Sequence, residues 1–238
     1  MGGWFDFPGR QLVGGFPLVA GETVLDIGCG EGAFAAFCAE MGARVLLADV
    51  DAGELRQARA RVRATGHAPL ALLTDGCPLP LPDACVDTVI AMEVLEHVPD
   101  PDLFLRELVR VARPGARFLI TVPAEAAEQV QRALAPEPYF RPPNHVRVFT
   151  AAGLEELAVG AGLVVERRLA YGFYWALWWA FFWTCRQDVL DPPHPILRSW
   201  AETWRLVLAS PDGPRIKAAL DAQMPKSQGL IARKSPSR

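Results

Sequence analysis

The chain contains few lysines and no run of basic residues. Its 238 residues include 24 Lys and Arg against 27 Asp and Glu, and the lysines are Lys217, Lys226 and Lys234. Proteins that follow a phosphate backbone carry clustered basic side chains, which this sequence lacks. We therefore expect no nucleic-acid partner.

Cysteine pairs and a secretory leader are also missing. The five cysteines form no Cys-x-x-Cys pair and are spread among apolar segments, at Cys29, Cys38, Cys77, Cys85 and Cys185. This spacing fits neither a zinc site nor a disulfide framework, and it suits a reducing compartment. Asp6 and Arg10 interrupt the apolar residues of the first twenty positions, unlike the continuous core of a signal peptide. We expect a cytoplasmic protein.

From Glu22 onward, short β-rich apolar segments alternate with longer segments of helical spacing. Strands are predicted at Thr23–Ile27, Arg44–Ala48, Leu70–Leu73, Val86–Ala91, Arg117–Val122 and Leu163–Arg167, with a last apolar piece at Gly229–Ala232. Helices are predicted at Ala33–Met41, Ala52–Ala64, Pro101–Ala112 and Ala151–Ala161. Such alternation predicts an α/β fold with a mostly parallel, doubly wound sheet of the Rossmann-like type.

A glycine-rich turn follows the first of these strands, in the segment VLDIGCGEGAF. Gly28, Gly30 and Gly32 would let the backbone approach a ligand closely and would direct helix N–H groups at it. The same pattern is compatible with a dinucleotide site, because Ala33 and Asp49 stand at suitable positions for one.

The charge beside this turn favours a different ligand. Asp26 precedes the first glycine by two residues, where a carboxylate would repel a pyrophosphate and would suit a cationic group. Asp75 then follows the third strand, and LPLPDACVD precedes the fourth. In this order the motifs resemble those of class I S-adenosylmethionine-dependent methyltransferases, and most closely the ubiquinone and menaquinone biosynthesis branch (methyltransferase type 11). The resemblance runs from Val24 to Val122 and returns weakly near the end of the chain.

The resemblance implies S-adenosylmethionine as the cofactor and a role for particular residues. Gly28, Gly30 and Gly32 would hold the backbone against the methionine and ribose portion. Asp26 would lie near the ammonium group, and Asp49 would accept hydrogen bonds from the ribose hydroxyls.

Four further residues are assigned by the same resemblance. Asp75 would face the adenine amino group, and Gly76 would present a backbone contact beside it. Val50 would lie along the adenine face, and Met92 would sit beside the methionine moiety.

Candidate bases for methyl transfer are Glu93, Glu96 and His97 in MEVLEHV and His145 in PPNHVRVF. If a helix begins at Glu93, the side chains of Glu93 and His97 share one face and Glu96 points elsewhere. Glu93, His97 and His145 could instead hold a divalent metal. Because this position is more often a loop that closes the pocket, we expect no metal.

Tyr171–Arg186, YGFYWALWWAFFWTCR, is the most unusual segment, since nine of its sixteen side chains are aromatic. Its apolar part, Leu169–Cys185, is shorter than the roughly 20 residues of a membrane span, and arginines flank it. Three interpretations stay open: a cap over a large apolar acceptor, an interfacial contact with a membrane, and a core or dimer contact. A second amphipathic helix is predicted at His194–Leu208.

The sequence thus predicts four segments: an N-terminal piece at 1–20 that folds over the cofactor, a cofactor-binding core at 21–170, a helical aromatic insertion at 171–226, and a last strand with a tail at 227–238. The predicted function is methyl transfer to a small apolar acceptor such as a quinone precursor, a lipid or a polyketide-like metabolite. A peripheral contact with the inner face of the membrane, through the aromatic segment, is an alternative to a purely cytoplasmic location. Two other functions stay open: a nicotinamide-dependent oxidoreductase, although no Tyr-x-x-x-Lys pair is present, and a non-catalytic membrane-associated protein that retains the cofactor fold.

Overall fold

The computed structural model describes residues 4–188 and 190–235. Its first half comprises β1 (Trp4–Asp6), β2 (Gln11–Val13), β3 (Phe16–Pro17), β4 (Thr23–Ile27), α1 (Ala33–Glu40), β5 (Arg44–Asp49), α2 (Ala52–Ala64), β6 (Leu70–Leu73), β7 (Val86–Met92) and α3 (Pro101–Val111). The second half comprises β8 (Ala112–Pro123), α4 (Glu125–Leu134), a 3-10 turn (Glu137–Phe140), α5 (Ala151–Gly160), β9 (Leu163–Tyr171), α6 (Phe173–Thr184), α7 (Pro195–Ala209), α8 (Gly213–Gln223) and β10 (Ser227–Lys234).

Seven strands form the central sheet in the order β6-β5-β4-β7-β8-β10-β9. The strands from β4 to β8 pair in parallel, whereas β10 runs antiparallel to both of its neighbours. The predicted doubly wound α/β fold is confirmed. After β4 the chain continues to β5 on one side of it, whereas β7 lies on the other side. The strand order therefore reverses at β4, and such a reversal opens a crevice at the carboxyl ends of the strands.

Both faces of the central strands are buried, because helices cover the sheet on each side. Leu25 of β4 and Val89 of β7 point into one hydrophobic core with residues of α3 and α5. Their chain neighbours Val24 and Ile90 point into the other core with residues of α1 and α2. Strands buried on two faces explain the continuous apolar runs in the sequence.

The segment predicted to cap the cofactor, residues 1–20, forms the small sheet β1-β2-β3 within its described part. Leu12 and Phe16 are fully buried in the core on the α1 side. The Phe5 ring packs against Phe37 of α1 with 5.3 Å between centroids. The segment therefore lies against α1, and its role as a cofactor cap stays a prediction.

The aromatic helix is shorter than the sequence indicated. Strand β9 continues to Tyr171, beyond the predicted end at Arg167, because it pairs with β10 up to the couple Tyr171 and Ser227. Gly172 then starts α6 with φ +91°, and the helix has 12 residues. At 1.5 Å per residue, α6 rises only about 18 Å, against about 30 Å for the apolar part of a bilayer. Among the helices that the structure describes, none is long and apolar enough to cross a membrane.

The insertion is built from three helices, of which α8 was not predicted. Asp221 of α8 accepts the Phe173 backbone N–H at 2.8 Å and pairs with Lys217. A buried carboxylate that accepts the N-terminal N–H of α6 satisfies one of the unpaired donors of that helix. This contact fixes the start of the aromatic helix on α8.

The glycine turn gives a stability prediction. A Cβ on Gly32, at φ +77°, would lie 2.7 Å from the Ala58 backbone, whereas a Cβ on Gly66, at φ +86°, would meet nothing within 4 Å. We expect Gly66→Ala to cost about 1–2 kcal/mol for the left-handed backbone alone. Gly32→Ala should cost a further amount of about 1–3 kcal/mol for overpacking against α2. Urea unfolding of the two variants tests this, and equal losses would contradict the packing role.

Candidate active site

A cavity of about 620 Å³ opens at the carboxyl ends of β4, β5, β6 and β7. Seven of the residues predicted from the sequence line it: Gly28, Gly30, Asp49, Val50, Asp75, Glu93 and His97. The other predicted residues, Asp26, Gly32, Gly76, Met92 and His145, lie behind or beside this lining. The topological reversal between β4 and β7 and the predicted site residues therefore coincide.

Asp49 at the end of β5 holds the glycine turn in place. One carboxylate oxygen accepts the Gly30 N–H at 2.9 Å and the other accepts the Asp51 N–H at 2.9 Å. Each oxygen of an ionised carboxylate has two lone pairs, so both can still accept a ligand hydroxyl. Asp49 can thus stabilise the turn and bind a ribose at the same time.

Gly30 meets the requirement for a closely approaching ligand. Its φ is +48°, and a Cβ built on it would have open space on all sides within 4 Å. That space belongs to the cavity, so a side chain there would occupy ligand volume. Gly32 differs, because its missing Cβ is needed for packing against α2.

Asp26 in β4 is a buried acid with one carboxylate oxygen that no described residue contacts by a hydrogen bond. Its side chain is 2% exposed, and its Oδ2 accepts no hydrogen bond from the described residues. Burial raises the pKa of Asp26 to about 7. The Ala35 backbone N–H opposes this rise by donating to the carboxylate, and the nearby Asp49 charge adds to it. An ammonium group next to Asp26 would supply the missing partner and would favour the ionised form. The cofactor implied by the sequence carries such a group.

The adenine-side predictions lie at the outer edge of the cavity. Val50 is 73% exposed, which is unusual for a valine that follows a core strand. Asp75 caps its own turn by accepting the Cys77 N–H at 3.1 Å. Gly76 lies behind it, where a Cβ would collide with the Phe104 ring at 2.4 Å. Met92, at the end of β7, packs against the core on the α1 side.

The helix that the sequence suggested at Glu93 does not form, and residues 93–97 form a turn. Glu93 itself has φ +55°. Its carboxylate accepts from the Thr121 hydroxyl at 2.9 Å and pairs with Lys226. These contacts anchor the turn, and they engage both oxygens of the carboxylate that the sequence analysis took as a candidate base.

Beyond the turn, two histidine rings meet edge to face with 5.1 Å between centroids, those of His97 and His145. The Nδ1 of His97 lies 3.0 Å from the Pro143 carbonyl oxygen. The Nδ1 of His145 lies 3.0 Å from a carboxylate oxygen of Glu128 in α4. The Pro143 carbonyl oxygen can only accept, so His97 donates its Nδ1–H to it; an ionised Glu128 would likewise accept from the Nδ1–H of His145, and a neutral ring with this tautomer leaves Nε2 without a proton.

Glu96 completes this group, although the helical interpretation directed it elsewhere. It is 1% exposed, and neither of its carboxylate oxygens accepts a hydrogen bond from the described residues. One oxygen lies 3.7 Å from the Nε2 of His97. Burial, followed by the charge of Glu93, raises the pKa of Glu96 well above its ordinary value. We call Glu96, His97, His145 and Glu128 the polar cluster.

Two members of this region had no signal in the sequence. Glu128 is one of several acidic residues of α4, and Tyr139 stands in a proline-rich segment. In the structure the Tyr139 hydroxyl donates to Glu128 at 3.2 Å. Burial and the Glu128 charge raise the pKa of Tyr139, so its hydroxyl remains a donor. Only the packing of α4 beside the turn at residues 93–97 reveals their role.

A series of ring contacts joins the polar cluster to the aromatic helix. The Tyr139 ring lies 4.5 Å from that of His145 and 5.7 Å from that of Trp183 in α6. Because His145 also contacts the cavity residue His97, these rings connect α6 to the wall of the cavity, although the described residues that line it include none of α6.

The strand order, the glycine turn and the acidic residue that ends β5 agree with the class I methyltransferase fold expected from the sequence. The family model described as a methyltransferase domain matches residues 25–120, which include this cofactor half of the sheet. Residues 25–120 therefore match a methyltransferase domain, in agreement with the class I S-adenosylmethionine-dependent methyltransferase that the sequence predicts.

Relatives with known names agree with this. Over 152 residues the chain is 38% identical to a protein named "Probable S-adenosylmethionine-dependent methyltransferase" from Mycolicibacterium smegmatis, with 63% of this chain and 55% of that protein covered. It is 37% identical over 114 residues to the 27-O-demethylrifamycin SV methyltransferase of Amycolatopsis mediterranei, with 46% and 42% covered. The solved structure of the [4+2]-cyclase SpnF has the same fold, with a TM-score of 0.62, 24% identity and coverage of 92% and 78%.

The chain spans about half the length of the curated relatives it matches, 55% of the first and 42% of the second. The similarity thus establishes the methyltransferase domain and its cofactor. The finer assignment to the ubiquinone and menaquinone branch is not confirmed by these matches.

Asp26 gives a pH prediction for cofactor binding. With a pKa of about 7, its carboxyl is about nine tenths protonated at pH 6 and about one tenth protonated at pH 8. Because only the ionised form attracts an ammonium group, the affinity for S-adenosylhomocysteine should rise about tenfold between pH 6 and pH 8. Calorimetry at both pH values measures this. Asp26→Asn should bind weakly at both, and a wild-type affinity that does not change with pH would contradict the assigned contact.

Proposed function

We propose that this protein transfers the methyl group of S-adenosylmethionine to a small, mainly apolar acceptor bound between the cofactor cavity and the aromatic helix α6. The acceptor class includes quinone precursors, lipids and polyketide-like metabolites. The observation that carries the proposal is the unbroken series of ring contacts from His97 through His145 and Tyr139 to Trp183. An acceptor bound against these rings would have the cofactor cavity beside it.

The packing of α6 supports a cap. Tyr174 stacks on Trp200 of α7 with 5.8 Å between centroids, and the Trp200 indole N–H donates to the Tyr174 carbonyl at 3.0 Å. Trp204 of α7 is fully enclosed beside them. One side of α6 is thus covered by α7, while Trp183 on another side faces the polar cluster. Trp175, 44% exposed, has the most exposed ring of the helix.

The chemistry places few demands on the protein. When bound, S-adenosylmethionine supplies a methyl group on a sulfonium, and an attacking lone pair forms the new bond while the carbon–sulfur electron pair stays on sulfur. The side chains need to align the acceptor and exclude water. A hydroxyl or carbon acceptor must also lose a proton, and His97 and His145 are the residues we assign to this part of the reaction. Glu93, held by Lys226 and Thr121, positions the turn that carries His97.

Named relatives differ in their acceptors, and only the first of the two below is named for a free small molecule. One methylates a demethylrifamycin according to its name, and another, 37% identical over 121 residues, is a malonyl-[acyl-carrier protein] O-methyltransferase of Serratia marcescens, with 51% of this chain and 46% of that protein covered. The cyclase with the same fold shows that the fold alone does not fix the reaction. Methyl transfer therefore has to be measured directly.

The oxidoreductase considered from the sequence receives little support. Lys226 pairs with Glu93 and Lys217 with Asp221, while Lys234 donates to the Val109 and Ala112 carbonyls at the end of α3. All three lysines of the chain thus hold structural contacts. In a competition assay, S-adenosylhomocysteine should displace bound S-adenosylmethionine, whereas NADH should not.

The decisive test of the activity uses labelled S-adenosylmethionine and a total extract of metabolites and lipids. We expect label in a small apolar product identified by mass analysis. Label found only in protein or nucleic acid would contradict the acceptor class, and cofactor binding without any labelled product would favour a non-catalytic role.

With that product in hand, α6 can be tested by substitution. Trp183→Ala should raise the KM for the acceptor about tenfold or more, because a buried ring contact contributes roughly 1–3 kcal/mol. The KM for S-adenosylmethionine should stay unchanged, since Trp183 lies on the far side of the polar cluster. Trp175→Ala, on the exposed side of the same helix, is the matched control and should have little effect. Equal effects of the two substitutions would contradict the cap.

Liposome flotation separates the cap from a membrane contact. We expect no flotation of the wild type with anionic vesicles, because α7 covers part of the aromatic surface. Flotation that is lost in Trp178→Glu and Trp179→Glu variants would instead show that these rings meet lipid.

A further inference from the structure

We propose that Glu96, His97 and His145 bind a divalent transition-metal ion at the wall of the cofactor cavity. From the sequence we expect no metal, and the only possible ligand set it suggests has Glu93 in place of Glu96. The structure changes the set, because Lys226 and Thr121 engage Glu93, whereas Glu96 lies beside both imidazoles. The role of the ion in catalysis rests on the proposed function; its binding does not.

The donor atoms are close enough to share one ion. One ligand atom from each of Glu96, His97 and His145 lies within 4.8 Å of the others. Two imidazole nitrogens with one carboxylate oxygen form the donor set typical of first-row transition metals such as Fe²⁺, and imidazole also suits Zn²⁺. A set with two nitrogen donors disfavours Mg²⁺ and Ca²⁺, which prefer oxygen.

Both histidine rings are already oriented as ligands. Metal-binding histidines usually donate the N–H of the other ring nitrogen to a carboxylate or a carbonyl, which fixes the tautomer. Here the His145 Nδ1 meets Glu128 and the His97 Nδ1 meets the Pro143 carbonyl, each at 3.0 Å. Glu128 is held in turn by the Tyr139 hydroxyl. Each Nε2 is thus the nitrogen left to bind an ion.

Glu96 supplies an independent observation. A hydrogen-bonded network alone accounts for His145, Glu128 and Tyr139, but it leaves Glu96 without a hydrogen bond on either oxygen among the described residues. An ionised carboxylate that is 1% exposed and accepts no hydrogen bond from the described residues is costly even with the Lys226 charge nearby, and such a group either stays protonated or binds a cation. A divalent cation would satisfy it.

The position of the cluster suits a role in the reaction. The side chains of Glu96 and His145 are 1% and 12% exposed, whereas that of His97, which lines the cavity, is 36% exposed. The open side of the site therefore faces the cavity, where an acceptor oxygen could ligate the ion. The ion would lower the pKa of the acceptor hydroxyl, whose proton would pass to solvent water, and the oxygen lone pair would then attack the methyl carbon. The histidines would act as ligands in place of a free base.

Metal binding can be measured without any acceptor. Protein treated with a chelator and then titrated with Zn²⁺ in a calorimeter should bind one ion per chain, and Co²⁺ should give an absorption band for nitrogen and oxygen ligation. Excess Mg²⁺ should not displace Zn²⁺. Binding that is absent, or that Mg²⁺ abolishes, would overturn the proposal.

Three variants locate the ion. Glu96→Gln, which keeps the shape but removes the charge, should weaken Zn²⁺ binding at least a hundredfold. Glu128→Gln should weaken it about 10- to 100-fold through the orientation of His145. His67→Asn, outside the cluster, should bind like the wild type. Binding that is unchanged in Glu96→Gln, or lost in His67→Asn, would assign the ion to another site and overturn the proposal.

A loss of folding is distinguishable from a loss of ligands. Because no described residue donates a hydrogen bond to the Glu96 carboxylate, metal-free Glu96→Gln should have a thermal midpoint equal to or above that of the metal-free wild type. It should also bind S-adenosylhomocysteine normally. For the wild type, Zn²⁺ should raise the midpoint, and for Glu96→Gln it should not. The same rise in both proteins would contradict ligation by Glu96.

The metal site and the proposed function can fail separately. Labelled product formed equally by metal-free and metal-loaded protein would leave methyl transfer standing and overturn the role of the ion. Stoichiometric Zn²⁺ binding that Glu96→Gln abolishes, together with no labelled product from any extract, would support the site and contradict the methyl transfer.

Discussion

The ion pair between Glu93 and Lys226 joins the two halves of the site. Glu93 directly follows β7, the strand that borders the cofactor cavity, and Lys226 lies between α8 and β10. The Lys226 carbonyl also accepts the Ala124 N–H at 2.9 Å, just before α4. A single contact thus sets the turn that carries Glu96 and His97 and the point where the inserted chain rejoins the sheet. The polar cluster depends on both being held in register.

Much of the cofactor half could be predicted from local sequence. Gly30, just after β4, and Asp49, at the end of β5, lie 19 positions apart in the sequence. The parallel pairing of β4 with β5 brings them together, and the order of strand, turn and helix in the sequence is enough to predict that pairing. The alternation of apolar strands and amphipathic helices was sufficient to predict the fold. Helix and strand boundaries differed mostly by one or two residues. The larger differences are at β8, which starts at Ala112 and not at Arg117, and at β9, which ends at Tyr171 and not at Arg167 because it pairs with β10.

The acceptor half could not be predicted in the same way. The spacing of Glu93 and His97 invites a helical interpretation, which separates Glu96 from them, whereas a turn places Glu96 next to His97. Contacts of Glu93 with Thr121 and Lys226, which are distant in the sequence, stabilise the turn instead of a helix. Glu128 and Tyr139 carry no local pattern at all, and their proximity to His145 exists only once α4 is packed against the inserted helices. A site whose residues are brought together by tertiary contacts has no periodic sequence pattern from which it could be predicted.

The pairing of Tyr171 with Ser227 has a consequence for how such a protein can change. Topologically, everything between these two neighbours is the loop of one β-hairpin, so residues 172–226 leave the sheet and return to it at the same place. The entropic cost of closing a loop rises only slowly with its length, and the sheet itself places little constraint on what the loop contains. The helices that form the acceptor side can therefore be lengthened, shortened or exchanged while the cofactor half keeps its strand order. If the proposed cap is correct, part of the acceptor contact lies in a segment that can change independently of the cofactor half.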